Sequence, residues 1–306
     1  MNKIDKSLLE QVSDLHKISL GAFNIRKNGE VLDRKSTKEI EIVKKKDKSG
    51  IDIFIKKDVK NKAVHIPVII TVGGLNDLVY NDFYVGENAD VTIVAGCGIH
   101  NDTNETSTHN GIHSFHLAKN SRVRYIERHI GEGKGEGGKI LNPVTKIYQK
   151  ENSFMKIETL QLGGVTSSVR KTFANLGDNA VLNIQENILT EFDQTAKTLF
   201  KVNLKGKNSR VEVVSHSVAK NTSYQEFKSD VIGENECFGH VECDGILLDN
   251  ARIVSTPMID AKDSNSSLVH EAAIGKIAGD ELIKLMTLGL SQEEAEKLII
   301  KGFLMG

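Results

Sequence analysis

The sequence predicts a stacked β-solenoid on three observations: a corner motif recurring at a fixed spacing, apolar–polar alternation after each corner, and no helical pattern from about residue 65 to 270. The motif is a small residue, a variable one, Asn and another small residue. It occurs as Gly86-Glu-Asn88-Ala, Ala118-Lys-Asn120-Ser, Gly177-Asp-Asn179-Ala and Gly206-Lys-Asn208-Ser, with weaker copies at Asn152, Asn235, Asn250 and Asp263. Successive positions lie 32, 32, 27, 29, 27, 15 and 13 residues apart, near 30 or half of it. Such lengths hold two short strands and two turns. Asn and Gly suit these positions because both tolerate the left-handed backbone of a tight corner. After the corners, Leu182 with Ile184, and Val211, Val213 and Val218, give the alternation of a half-buried strand. An antiparallel sandwich also has short strands and regular turns, but the return of one corner motif favours the solenoid.

The elements follow in order. Ile4, Leu8, Leu9, Val12 and Leu15 repeat at helical spacing and predict an amphipathic helix over residues 4–17. Residues 1–64 read as this helix with lead-in strands, 65–272 as the β-helical core and 273–306 as a helical segment. In the last, Asp280 fits the N-cap of a helix through Leu288 that stops at Gly289. Ser291 with Glu294 forms a capping box that opens a second helix to about Gly302. The plainest use of such a hairpin is to cap the end of the solenoid.

Composition narrows the function. The 40 Lys and Arg against 41 Asp and Glu give no support for nucleic-acid binding. Lys44, Lys45, Lys46, Lys48, Lys56, Lys57, Lys60 and Lys62 are interleaved with Glu41, Asp47, Asp52 and Asp58 and read as a solvated face. No run of 18 apolar residues occurs and Met1 to His16 is not signal-like, so the expected compartment is the cytoplasm, without a membrane partner. Three cysteines, Cys97, Cys237 and Cys243, are too few for a disulfide framework and point to reactive or metal-binding thiols.

The glycine-rich run Gly131 to Gly138 contains one GxGxxG match from Gly133 without a surrounding βαβ unit, and GxxxxGK[ST] is absent from the sequence. The run reads as a flexible loop, and the chain is not expected to hydrolyse nucleotide by itself. Five of the ten histidines lie between His100 and His129, preceded by Cys97. On a strand His113 and His116 point to opposite sides, which removes the geometry of a helical metal site. In Cys237-x2-His240-x2-Cys243 the thiols share one face of a strand and His240 the other. A thiolate pair, or one thiolate with ligands from another coil or chain, could hold iron; inert buried cysteines are the plain alternative. His270 and Glu271 face opposite ways on a strand, and a buried His beside a solvated Glu is their simplest account.

Val241-Glu-Cys243-Asp-Gly-Ile-Leu-Leu, Asp249-Asn-Ala-Arg-Ile-Val-Ser-Thr-Pro257, Val269-His-Glu-Ala-Ala-Ile-Gly-Lys-Ile277, Gly279-Asp-Glu-Leu282 and the run from Ser291 to Phe303 together resemble the C-terminal half of the SufB/SufD proteins of the SUF iron–sulfur cluster assembly system. Val94-Ala-Gly-Cys97 and Asn142-Pro-Val-Thr-Lys146 extend the likeness more loosely. The resemblance implies a right-handed parallel β-helix with terminal helices that dock the SufC-type ABC ATPase, through Leu282, Leu285, Met286, Leu298 and Phe303. It implies cluster binding at Cys243, His270 and Glu271 and sulfur transfer at Cys97 and Lys146, with Cys237 and His240 as additional metal candidates. Retention of Cys243 and His270-Glu271 makes the chain more like SufB than SufD. It departs from the family in its short N-terminus, its lack of Trp and the glycine-rich run after Tyr125.

The function so implied is a scaffold for cluster assembly and transfer, with an iron–sulfur cluster as cargo, working as a homodimer with two ATPase subunits. It is not expected to be an enzyme, because acid–base pair, triad and nucleotide loop are all missing from the reading. A reduced flavin finds no support in the sequence, and sulfur donor and acceptor proteins are left open. The rivals are a β-helical carbohydrate-active enzyme, which usually carries a signal peptide, and a structural interaction module without metal.

Overall fold

The computed structural model describes residues 1–13 and 21–305. Helix α1 spans Lys3–Ser13; the expected continuation to residue 17, with Leu15, lies outside the described residues. Two ten-stranded sheets follow. The first runs, in spatial order, β2 (Glu30–Lys35), β1 (Ala22–Lys27), β5 (Lys60–Ile70), β7 (Asp90–His100), β9 (Arg122–Glu132), β12 (Phe154–Leu162), β14 (Val181–Thr190), β16 (Ser209–Ala219), β18 (Cys237–Leu247) and β20 (Ser266–Gly275). The second runs β19 (Arg252–Ala261), β17 (Tyr224–Gly233), β15 (Thr195–Leu204), β13 (Ser167–Leu176), β10 (Lys139–Leu141), β8 (Ser107–Leu117), β6 (Asn76–Val85), β4 (Gly50–Ile55) and β3 (Ile40–Lys44). Past Pro143, which has no N–H to donate, β11 (Val144–Gln149) resumes the place of β10 between β8 and β13. From β4 onward the chain alternates between the sheets and pairs in parallel, giving a solenoid of about eight turns.

The corners explain the repeat. Asn88, Asn120, Asn152, Asn179 and Asn208 all adopt the left-handed conformation, with φ between 53° and 59°. Stacked on successive coils, their amides bond to one another: Asn120 Nδ2 donates to Asn88 Oδ1 (3.1 Å), Asn152 to Asn120 (3.2 Å) and Asn208 to Asn179 (3.2 Å). A second left-handed row is formed by Phe192, Asn221 and Asp249. Three of the weaker motif copies are therefore corrected. At Asn250 the left-handed residue is its neighbour Asp249, and Asn235 and Asp263 instead accept bonds from the nearby amides of Glu236 and Asn265, as short Asx turns do.

The core lies between the sheets, where inward positions such as Ile53, Phe83, Phe115, Tyr125, Ile184, Val213 and Val241 are buried. Val218 departs from the expected alternation: it points outward and is buried under the C-terminal helices. The glycine-rich run is fixed rather than loose. Gly135 N–H donates to Asn101 O (3.1 Å) and Gly137 N–H to Thr103 O (2.9 Å). A Cβ on Gly135 would meet Thr103 O at 2.2 Å, so the glycines let two backbones touch. Within the basic stretch, Lys45 is buried against Asp52 and Asp82.

Helices α2 (Gly279–Thr287) and α3 (Gln292–Met305) form the C-terminal hairpin. The N-cap of α2 is Ala278, without a side-chain cap bond. Asp280 sits inside the first turn instead, where its charge favours the helix dipole. Gly289 (φ 95°) ends α2 as expected, and Ser291 and Glu294 bond reciprocally as a capping box. The hairpin does not sit over the end of the solenoid. Ile300 and Leu304 cover Leu189, Val218 and Ile246 on the outer face of the first sheet, leaving the last coil bare.

Candidate functional site

Strands β18 and β20 place the sequence-predicted residues. Cys237 and Cys243 face the interior, both buried, while His240 faces outward, as strand geometry requires. Six residues of strand put the two thiols about 20 Å apart, so they cannot share one cluster. Cys237 Sγ instead lies 3.4 Å from Ser266 Oγ. In β20, His270 pairs in register with Val241 and Ala272 with Cys243, so His270 shares the inner face with Cys243. Both His270 ring nitrogens are buried without a partner. Glu271 is on the other face, two-thirds exposed, 3.9 Å from His240. Cys243 and His270 are thus brought to the inner face of neighbouring strands, and Glu271 is not.

Burial pushes the Cys243 thiol up to about 11, with the Ser255 hydroxyl acting against it and Glu186 and Asp244 adding to it. As folded, the thiol is protonated and enclosed. Burial likewise lowers His270, with His240 contributing, which leaves a neutral imidazole of the kind that ligates metal. The last coil is open: β19 and β20 are terminal in their sheets, and Met258, Ile259, Val269 and Ile274 on them are exposed.

Cys97 lies inside the other end of the solenoid beside His129 on β9, and burial, with Asp77 and Glu127, holds its thiol well above the ordinary value. Lys146 is exposed on the outside of the second sheet, so the structure does not bring it to Cys97. What connects the two ends is a buried polar chain that residue patterning missed. His113 Nδ1 lies 2.7 Å from Tyr125 Oη, which donates to Glu127 Oε1 (2.9 Å). Arg170 pairs with Glu127, with His129 (3.0 Å) and with Glu186 (3.2 Å). Thr198 and Ser215 then donate to Glu186, and Ser215 is the register partner of Cys243. Burial drives His113 to about 4 and His129 to about 3, so both are neutral. Burial raises Glu186; burial also acts on Glu127, but the Arg170 guanidinium outweighs it and holds that carboxyl far below the carboxylate range. The signal was present as polar residues on the inward phase of the alternation, Glu127 two after Tyr125 and Arg170 between Ser168 and Thr172.

Of the expected docking residues, Met286 and Leu298 are exposed and Leu282 and Leu285 half-buried. Phe303 is turned inward against His216, with ring centroids 4.8 Å apart. Exposed Ile283 and Leu288 extend the apolar surface of α2. No helix among the described residues is long and apolar enough to cross a membrane.

The fold and site define a parallel β-solenoid protein with an inward thiol and an inward imidazole on neighbouring strands at its open end. The profile described as SUF system FeS cluster assembly, SufBD core domain, matches residues 80–303, and the chain belongs to the SufBD family. It is 28% identical over 236 residues to an iron-sulfur cluster assembly SufBD family protein of Pyrococcus horikoshii, covering 76% of this chain and 69% of that protein. A Methanothermobacter thermautotrophicus relative of the same description is 29% identical over 229 residues, covering 74% of this chain and 54% of the relative. One from Galdieria sulphuraria is 30% identical over 193 residues, 60% of this chain and 87% of its own length. The match thus spans between about half and two-thirds of the Pyrococcus relative first named, the Methanothermobacter relative and one from Archaeoglobus fulgidus. The family places it in iron–sulfur cluster assembly.

Proposed function

We propose that the chain is a SufB-like scaffold on which an iron–sulfur cluster is built and from which it is passed on. One observation carries the reading: Cys243 on β18 and the unpartnered His270 on the terminal strand β20 face the interior side by side at the open end of the solenoid. Thiolate is the soft ligand that iron clusters require, and imidazole a weaker ligand that permits release. Glu271 joins them only if the last coil moves.

Such movement is also demanded by the thiol itself, which is fully buried and protonated at rest. The bare edges of β19 and β20 would extend in a second copy of the chain, making a homodimer whose junction encloses both Cys243 residues. A SufC-type ABC ATPase docking on Leu282, Leu285, Met286 and Leu298 would supply the force, because α3 is packed directly against β16, next to β18. Phe303 takes part through its packing on His216 rather than as a contact surface. Sulfur is proposed to enter at Cys97, from which the interior chain of Tyr125, Glu127, Arg170 and Glu186 leads toward Cys243, and Lys146 on the outer face takes no part.

Anaerobic reconstitution with ferrous iron and sulfide, in the presence of the ATPase, tests the reading. Wild type is expected to bind iron and show charge-transfer absorbance, Cys243→Ser to lose both, and light scattering to report a dimer of the chain. Equal loading of both proteins would refute Cys243 as the anchor. A stable monomer even with the ATPase would refute the dimer.

A further inference from the structure

The geometry points to a divalent metal site on the outer face of the first sheet, formed by His216, Glu242 and Asp244. Their ligand atoms all lie within 4.8 Å of one another. His216 on β16 pairs in register with Asp244 on β18, and Glu242 is two residues earlier on the same outer face. Among the described residues, neither carboxylate pairs with a lysine or arginine, so two negative charges stand together without a cation. Asp244 is fixed from its far side, where Oδ1 accepts the Ala273 N–H (3.1 Å).

Two buried polar atoms beside the trio lack any partner: His216 Nδ1, and Oδ1 of Asn187, the register neighbour of His216 on β14. An unpartnered buried donor or acceptor is costly unless something fills the site. Phe303 of α3 packs against the imidazole, ring centroids 4.8 Å apart and planes tilted by 34°. One imidazole and two carboxylates, with an amide oxygen in reach, form a mixed nitrogen–oxygen set with open positions. That set suits a first-row divalent ion such as Fe(II) or Mn(II) and lacks the thiolates that select softer ions. Glu242 immediately precedes Cys243, so the site and the thiol occupy opposite faces of one strand. Use of the site to hold ferrous iron for assembly rests on the scaffold reading; metal binding itself does not.

Titration of the full chain with Mn(II), following free ion by its EPR signal, tests the site. One ion per chain is expected to bind saturably and to be displaced by ferrous iron under anaerobic conditions. His216→Asn and Glu242→Gln should each weaken binding about tenfold or more, while Cys243→Ser binds like wild type. Glu242→Gln is nearly isosteric and outward-facing, so it serves if His216→Asn melts early. Absence of saturable binding, or wild-type affinity in a folded Glu242→Gln protein, would overturn the site. Loss of binding in Cys243→Ser would overturn its independence from the cluster anchor. Metal binding that persists in a protein unable to assemble a cluster would sink the scaffold reading and leave this site standing.

Discussion

Arg170 lies fully inside the solenoid between Glu127 and Glu186, and its guanidinium balances a charge that would otherwise be stranded in a low-dielectric interior. Removing it strands that charge, so Arg170→Met is expected to destabilise the fold by about 3–5 kcal/mol in urea unfolding. Adding Glu127→Gln should recover part of the loss, because the more fully ionised of the two carboxylates then disappears. A loss below about 1 kcal/mol for the single variant would mean that water already reaches this chain. The same residues show what patterning can and cannot reveal. Alternation placed Cys237 and Cys243 on one face and split His270 from Glu271, and the structure agrees. It could not tell that Glu127 and Arg170, 43 positions apart, meet across the interior, because such pairing depends on which coil faces which. Nor could it separate Lys146 from Cys97, since the role of Lys146 rested on family likeness and not on the inward phase, which Thr145 holds.

The corners turn sequence into strand stacking most directly. Asn at φ near +57° carries little penalty, and most of these amides also bond to the Asn of a neighbouring coil, so the motif was legible as a repeat. Phe192 breaks the rule: it is left-handed at φ 57°, two-thirds exposed, and stacked in the row of Asn221 and Asp249. A bulky side chain is disfavoured in that conformation by about 1 kcal/mol or more, and Asn there would meet Asn221 on the next coil. Phe192→Asn is therefore expected to gain about 1 kcal/mol in thermal or urea unfolding. Destabilisation would instead show that the ring has a packing role on this surface. In the intact row, Asn120→Ala should lose about 1–2 kcal/mol and Asn120→Gly less, since Gly keeps the backbone and forfeits only the amide bonds. The C-terminal helices were legible from the stop at Gly289 and the Ser291–Glu294 capping box, though not from Asp280, and their seat was not. Val218 was read as an inward strand residue, yet it is the outward anchor for Ile300 and Leu304, a distinction that needs the partner helix in view.

Across the whole molecule, buried neutral histidines tie the fold to pH. His113 and His129 have ordinary values near 6.5 once unfolded but about 4 and 3 when folded, because burial disfavours their charged forms. Above pH 6.5 neither state holds the extra protons, and stability is complete. As pH falls below 6.5 the unfolded chain takes them up first, so stability declines until the folded values are reached near 4 and 3. The slope approaches about 1.4 kcal/mol per pH unit for each histidine within that window. Glu127 adds to the loss only lower down, since its folded value is depressed and its unfolded value is near 4.5. Urea unfolding between pH 7 and 5 therefore lies above the pH at which Glu127 titrates, while Glu186, whose folded value burial raises, can only oppose the loss by holding a proton in the folded state. Wild type should lose stability steadily over that range, and His113→Asn, although less stable at pH 7, should show a slope smaller by nearly one proton. A stability that stays flat from pH 7 to 5 would mean that both rings reach water in the folded protein. The interior would then be a hydrated passage, and the sealed polar chain proposed to lead from Cys97 toward Cys243 would have to be abandoned.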